Sequence, residues 1–171
     1  QVTELSLFSD IILTDVGHFQ DALQMIHTVG IRTGKTDAAN QLAFDIQQDF
    51  NKLSPYKPVT AAYLIWKTPW MTIGSDTFIH SMMAKAGFQN VFNTQTRYPE
   101  TTIQRLQEME PEYVFLSSEP YPFSHQDVAD LQRQLPHSEV MVVDGEMFSW
   151  YGNRMLYAAR YFTELRNRIK T

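Results

Sequence analysis

The chain has 171 residues and a formal net charge of −5, and its 43% hydrophobic and 19% charged content predicts one globular domain with a substantial core. The acidic balance argues against a protein that binds nucleic acid through a basic stripe, and the absence of cysteine excludes disulfides, thiolate nucleophiles and cysteine-bound metals. No stretch approaches the roughly 20 apolar residues of a membrane span, and the first residues lack the order of a signal peptide.

The first third of the chain predicts a strand followed by two helices. The run FSDIILTDV, Phe8–Val16, is apolar and ends in a polar turn, which is typical of a buried strand. Residues 17–53 follow helical spacing, with an interruption at GIRTGKTD that places Gly30 at a helix end and Gly34 in a turn. The interruption is similar to a phosphate-binding loop, but Val29 occupies the position where that motif requires glycine.

From residue 59 onward, apolar strands alternate with helical patterns. We expect strands at 59–66, 71–73, 113–117 and 140–143, and helices at 77–86, 101–109, 124–135 and 153–169. This alternation predicts an α/β fold with a mostly parallel sheet flanked by helices on both faces and preceded by a long linker helix.

Aromatic residues make up 13% of the chain and are concentrated in the loops that follow the predicted strands. These loops have the sequences WKTPWMTIGSDTF, SSEPYPF and DGEMFSWYGNRM, whereas AGFQN, EMEPE and LPHSE on the opposite side are plain. Ligands of parallel α/β sheets bind beyond the carboxyl ends of the strands. The sequence therefore predicts a binding face for a large, flat or partly apolar ligand.

Catalytic motifs on this face are incomplete. The segment IGSDT lacks the second glycine of a nucleophile elbow, and the five histidines form no pair with metal-binding spacing. An enzyme that uses Asp76, Glu119 or Glu146 as an acid or base is one alternative function. The structural alternatives are that Asp76 caps a helix and that Glu119 bonds backbone amides of its loop. A third hypothesis is a self-associating scaffold domain, in which the aromatic loops form a homo-oligomer contact.

Taken together, several motifs in residues 59–165 resemble the carboxy-terminal lobe of the helical-backbone, class III periplasmic substrate-binding proteins of ABC importers. These motifs are a G-x-D-T-F helix start, a helix-end G-x-x-N-V-F, the R-Y-P turn, the S-S-E-P loop and the final D-G-E-M-F-S-W-Y-G-x-R loop, in that order. The class includes proteins that bind cobalamin, haem and ferric siderophores.

The resemblance implies a two-lobed receptor without covalent chemistry. Residues 1–16 would be the helix and strand that end an otherwise missing amino-terminal lobe, residues 17–58 the linker helices, and residues 59–171 the carboxy-terminal α/β lobe. It further implies a periplasmic or extracytoplasmic, membrane-associated protein that is not an enzyme. Such a receptor has no resident cofactor, and it passes a cobalamin, haem or ferric siderophore ligand to an ABC permease.

The resemblance also assigns residues to the cleft and to the docking surface. The cleft-facing residues would be Trp66, Trp70, Arg97, Tyr98, Glu119, Tyr121, Phe123, Glu146, Phe148, Trp150 and Arg154. Among these we expect Trp66, Tyr98 and Trp150 to stack on the ligand, and Arg97 and Arg154 to bind its polar groups. None would ligate a metal, because a chelate brings its own donors. Docking to the permease would fall at Gln104, with Glu100 or Glu108 as substitutes.

Overall fold

The structure, a computed structural model, describes Glu4 and residues 7–169. The helices are α1 (Phe19–Arg32), α2 (Thr36–Asn51), α3 (Phe78–Lys85), α4 (Ile103–Met109), α5 (His125–Gln134), α6 (Gly145–Ser149) and α7 (Met155–Arg168). The strands are β1 (Val59–Trp66), β2 (Trp70–Thr72), β3 (Phe88–Asn90), β4 (Glu100–Thr101), β5 (Tyr113–Ser117) and β6 (Glu139–Val143). None of the helices in these residues is long and apolar enough to cross a membrane.

The strands form one sheet in the order β4-β2-β1-β5-β6, with β3 beside the amino-terminal half of β1. The strands β3, β1, β5 and β6 are parallel to their neighbours in this set, whereas the hairpin strand β2 runs antiparallel to β1 and β4. Leu64 pairs with Leu116, and Ser117 pairs with Val143, so the parallel strands β1, β5 and β6 end at the same side of the sheet. The prediction of a mostly parallel sheet is confirmed.

Helices cover both faces of the sheet, as the alternation of elements predicted. Successive side chains of a strand point to opposite faces. Tyr63 and Phe115 are fully buried on the face covered by α1, α2, α3 and α7, whereas Leu64 and Leu116 are fully buried on the face covered by α4 and α5. Apolar residues on both faces of β1 and β5 explain why these strands are continuous apolar runs in the sequence.

The two amino-terminal helices pack against each other and against the sheet layer. Gly30 lies within α1, where a Cβ atom would come 2.2 Å from Cβ of Ala39, so glycine permits the close approach of α2. The prediction that Gly30 ends the helix is therefore wrong, while Gly34 forms the turn with φ at +66°. The rings of Phe50 on α2 and Phe162 on α7 lie 6.1 Å apart, and buried residues of these helices and of the sheet belong to one core.

Residues 8–16 form no strand, so that prediction is wrong. This segment is coil, and Phe8 and Leu13 are 86% and 76% exposed. A strand is stabilised by hydrogen bonds to a neighbouring strand, and this segment pairs with none in the described part of the chain. Residues 1–3, 5 and 6, which belong to the same predicted end of an amino-terminal lobe, lie outside the described residues.

Candidate functional site

The loops that follow β1, β5 and β6 meet at one edge of the sheet, which we call the strand-end face. The aromatic residues Trp66, Tyr98, Trp150 and Tyr151 are 40% to 51% exposed in these loops and in the turn before β4. Buried aromatic rings are stabilised by packing, whereas large exposed rings in one region are typical of binding surfaces.

Four aromatic rings form a connected cluster on one half of this face, which we call the ring cluster. Trp66 contacts Tyr121 edge-on at 5.3 Å, Tyr121 lies 4.7 Å from Phe123, and Phe123 stacks on Trp70 at 6.0 Å. Phe123 is 8% exposed, and Trp70 and Tyr121 pack against the α5 side of the core. Phe123 therefore presents little surface on the strand-end face, its contact with a ligand stays a prediction, and Trp66 is the most exposed ring of the four.

An ion pair connects the ring cluster to helix α5. Nζ of Lys67 binds Oδ1 of Asp127 and also lies 5.7 Å from the centre of the Trp70 ring. The hydrogen bond from Lys67, aided by two from Ser124, lowers the pKa of the Asp127 carboxyl to about 2. Sequence reasoning missed this pair. The S-x-x-D pattern at Ser124 indicates a helix cap, but nothing local points to Lys67, which is 60 residues away.

Phe148 belongs to the core and not to the strand-end face. It is fully buried, with its ring 5.2 Å from Tyr63 and 4.8 Å from Phe162. The sequence predicts a loop at DGEMFSW, whereas Gly145–Ser149 is the helix α6, which turns Phe148 inward. Phe148, which the sequence placed among the cleft residues, therefore presents no surface on the strand-end face.

The other half of the face contains two carboxylates and the side chains that they bind, and we call it the carboxylate cluster. Its residues are Glu119, Glu146, Ser149, Trp150 and Arg154. Oε1 of Glu119 accepts hydrogen bonds from Nε1 of Trp150 at 2.6 Å and from Oγ of Ser149 at 2.9 Å. The sequence predicts, as one alternative, hydrogen bonds to Glu119 from backbone amides of its own loop. The donors to Glu119 are instead the side chains of Trp150 and Ser149. Beneath it, the Tyr63 hydroxyl donates to Oγ of Ser117 at 3.1 Å, and burial raises the pKa of this tyrosine well above its usual value.

Glu146 and Arg154 form an ion pair at the rim of the carboxylate cluster. Their side chains are 32% and 39% exposed, and the Arg154 guanidinium lies 5.7 Å from the Tyr157 ring. Nε of Arg154 is buried and has no hydrogen-bond partner among the described residues. The charges of these two predicted site residues therefore neutralise each other within the protein.

Arg97 and Tyr98 lie beside the start of helix α3. The backbone N–H of Arg97, at φ +57°, donates to Oδ1 of Asp76 at 2.5 Å, while Thr77 accepts the N–H of His80 and caps the helix. The prediction that Asp76 caps α3 is therefore wrong. Arg97 and Tyr98 line a cavity of about 220 Å³, together with Thr77, Phe78, Tyr151 and residues 14–17. Arg97 forms no ion pair within the part of the chain that the structure describes.

The three residues considered for docking lie on and next to the edge strand of the sheet. Glu100 is exposed on β4, and Gln104 and Glu108 are exposed on α4. Glu108 accepts hydrogen bonds from Gln104 at 3.2 Å and from Arg105 at 3.0 Å. Permease docking through these residues stays a prediction.

The carboxylates that an enzyme would need are engaged in structural bonds. Asp76 accepts a backbone N–H, Glu119 holds Trp150 and Ser149, and Glu146 pairs with Arg154. No group of three histidines, aspartates or glutamates in Glu4 and residues 7–169 is arranged to hold a metal ion. The exposed chemistry of the face is therefore mainly aromatic.

Comparison with solved structures places this fold among solute-binding proteins. The periplasmic heme-binding protein HutB of Vibrio cholerae is similar with a TM-score of 0.75 and 23% identity, over 91% of this chain and 66% of that one. A possible iron-binding periplasmic solute-binding protein from Staphylococcus epidermidis has a TM-score of 0.74 and 14% identity, over 99% of this chain and 70% of that one. The periplasmic vitamin B12 binding protein BtuF of Vibrio cholerae has a TM-score of 0.70 and 15% identity, over 99% of this chain and 70% of that one.

These likenesses show the fold: the α/β architecture of this chain is similar to part of those solute-binding proteins, and the chain spans about two thirds of the length of those three chains. No protein-family model and no curated protein sequence matches it. The structural neighbours named above are binding proteins.

Proposed function

We propose that this chain is part of the substrate-binding component of an ABC import system, and that its strand-end face forms one wall of a ligand cleft. The observation that carries the proposal is the set of exposed rings on the strand-end face and in the turn before β4, which are Trp66, Tyr98 and Trp150. Such rings offer large apolar faces to a flat ligand. An amino-terminal α/β lobe would supply the opposite wall, and the protein would act outside the cytoplasmic membrane.

The ligand class we propose is a metal chelate or corrinoid: cobalamin, haem or a ferric siderophore. The named ligands of similar structures, heme and vitamin B12, support this class. The chemistry of the face supports it as well, because ring faces are exposed while Glu119, Glu146 and Arg154 are engaged within the protein. The ligand would be captured without covalent chemistry and delivered to a membrane permease, with Glu100, Gln104 and Glu108 at the contact.

A titration of tryptophan fluorescence tests the proposal. Cyanocobalamin, haemin and ferrichrome are added separately up to high micromolar concentration, because one wall binds more weakly than a complete cleft. We expect saturable quenching by at least one probe. Free N-acetyltryptophanamide corrects for absorption by the probes.

Matched variants locate the quenching on the strand-end face. We expect Trp66→Ala or Trp150→Ala to weaken binding of the active probe, whereas Phe44→Ala, which removes a 58% exposed ring from α2, leaves it unchanged. Quenching by none of the three probes would reject the ligand class. Quenching that is equally strong in both tryptophan variants would reject the strand-end face as its location.

Self-association is a second candidate, because Leu7, Phe8 and Leu13 are 76% to 86% exposed in addition to the aromatic rings. Sedimentation velocity at rising protein concentration distinguishes the two functions. A monomer at high concentration would contradict a scaffold role. A dimer that dissociates in Trp66→Ala or Trp150→Ala would support it.

A further inference from the structure

Trp150 exposes its ring while the polar edge of the same ring is bonded to the protein. The side chain is 51% exposed, yet its Nε1–H donates to Glu119 at 2.6 Å. A ligand that contacts this indole therefore has access to the ring face and not to the N–H donor. An indole that is free to rotate would offer either part, so the bond to Glu119 selects stacking as the contact.

Glu119 is itself held in place from below. The Ser149 hydroxyl has one proton to donate, and two acceptors lie within reach of it, Oε1 of Glu119 at 2.9 Å and the carbonyl oxygen of Gly145 at 2.8 Å. A Cβ atom on Gly145 would come 2.8 Å from Cγ of Glu119 and 2.3 Å from Oγ of Ser117. Glycine at this position therefore permits the carboxylate to pack against the start of α6 and to reach Trp150 at its end.

Charge pairing does not explain the position of Glu119. Its two hydrogen-bond donors are neutral, and the cation of this cluster, Arg154, binds Glu146 instead. Within the described residues Glu119 forms no ion pair. A half-buried carboxylate with neutral donors on one oxygen fixes geometry, because each hydrogen bond to a charged acceptor is short and directional.

We propose that Glu119 is a positioning residue, which orients the Trp150 indole before the ligand arrives so that its face stacks on a flat ring system. This inference rests on the proposed function of the strand-end face. Preorganisation strengthens binding because the ordering of a side chain on association is unfavourable, by an amount that corresponds to about 2- to 10-fold in affinity for one such side chain.

Two variants of Glu119 separate positioning from general stability. Glu119→Ala removes the acceptor, and Glu119→Gln keeps an acceptor oxygen in nearly the same place. Glu164→Ala, which removes an exposed carboxylate on α7 that binds Arg160, is the matched control. Trp150 is observed in the ligand-free chain by ultraviolet resonance Raman and by time-resolved anisotropy, with the signal of Trp150→Phe subtracted.

We expect Glu119→Ala to lose the Raman signature of a bonded indole N–H and to gain fast indole motion. It should bind the active probe among cyanocobalamin, haemin and ferrichrome about 2- to 10-fold more weakly. Glu119→Gln should restore most of the indole order and most of the affinity for the probe. Glu164→Ala should match the wild type in both. If Glu119→Ala does not fold, Glu119→Gln carries the test, since its weaker neutral acceptor should still shift the indole band.

An unchanged indole band and unchanged motion in Glu119→Ala would overturn the proposal, whatever the affinity. A loosened indole with unchanged affinity for a probe that binds the wild type would overturn it as well. Failure of all three probes to bind the wild type would instead count against the proposed ligand class, and the Raman and anisotropy data would still decide whether Glu119 fixes Trp150.

Discussion

The two halves of the strand-end face expose a tryptophan to a similar extent but hold it by different forces. Trp66 in the ring cluster is 40% exposed and packs edge-on against Tyr121, whereas Trp150 in the carboxylate cluster is 51% exposed and is held by a hydrogen bond to Glu119. Apolar packing responds little to salt, while exposed ion pairs weaken as salt rises. One wall therefore combines a tryptophan fixed by ring packing with a tryptophan fixed by a hydrogen bond to a carboxylate.

The largest loss of stability is expected from a substitution in the ring cluster. Phe123→Ala removes a buried ring that contacts both Tyr121 and Trp70, and we expect a loss of about 3 to 5 kcal/mol in the free energy of unfolding. Urea unfolding measures it. Tyr157→Ala, which removes a 59% exposed ring, is the control and should change stability by less than about 0.5 kcal/mol. A loss below about 1 kcal/mol for Phe123→Ala would show that this ring is not a core element.

An intermediate loss of stability is expected when the ion pair between Lys67 and Asp127, next to the ring cluster, is broken. The folded-state pKa of Asp127 is lowered to about 2 from its usual 3.8, so its stabilisation is fully present above pH 3.8 and is lost as pH falls toward 2. We expect Asp127→Asn to be less stable than the wild type by roughly 1 to 2 kcal/mol at pH 6. Urea unfolding at several pH values should show this difference disappearing between about pH 4 and pH 2.

Asp130→Asn is the control on the same helix. Asp130 binds the exposed Arg133, with side-chain exposures of 40% and 69%, so we expect a change below about 0.5 kcal/mol at every pH. A stability difference for Asp127→Asn that persisted undiminished at pH 2 would contradict an electrostatic origin.

The smallest effect is expected at the rim of the carboxylate cluster. Glu146→Gln breaks the partly exposed pair with Arg154, and we expect a loss of at most about 1 kcal/mol in low salt. The loss should shrink in 1 M NaCl because added ions screen the pair. The loss of unfolding free energy caused by Phe123→Ala should be the same in low salt and in 1 M NaCl. Equal salt dependence for the two variants would remove the distinction between the two halves.

The sequence predicted the sheet better than it predicted the site. Continuous apolar runs such as 59–66 and 113–117 are strands because both of their faces are buried, and their bounds agree with the structure. Elements of two to five residues, β3, β4 and α6, carry too few residues for a period to be visible. At residues 8–16 the sequence predicted a strand that the structure does not contain. An apolar run forms a strand only when another strand lies beside it to accept its hydrogen bonds.

For the site, position along the chain predicted which loops meet but not which side chains face outward. Phe148 and Trp150 are two residues apart in one motif, yet the first is fully buried and the second is half exposed. The reason is that a short helix and its end rotate neighbouring side chains in different directions. Contacts such as Lys67 with Asp127 and Trp150 with Glu119 join residues 31 or more positions apart, so no local pattern in the sequence indicates them.

The most direct test of the strand-end face as a ligand surface is an NMR titration of the three indole N–H signals of the chain. Each tryptophan gives one signal, assigned by the Trp66→Phe, Trp70→Phe and Trp150→Phe variants. On addition of cyanocobalamin or ferrichrome, we predict saturable shifts for Trp66 and Trp150 and a smaller shift for Trp70, which packs against the core. Saturable binding that leaves the Trp66 and Trp150 signals unmoved would contradict the account.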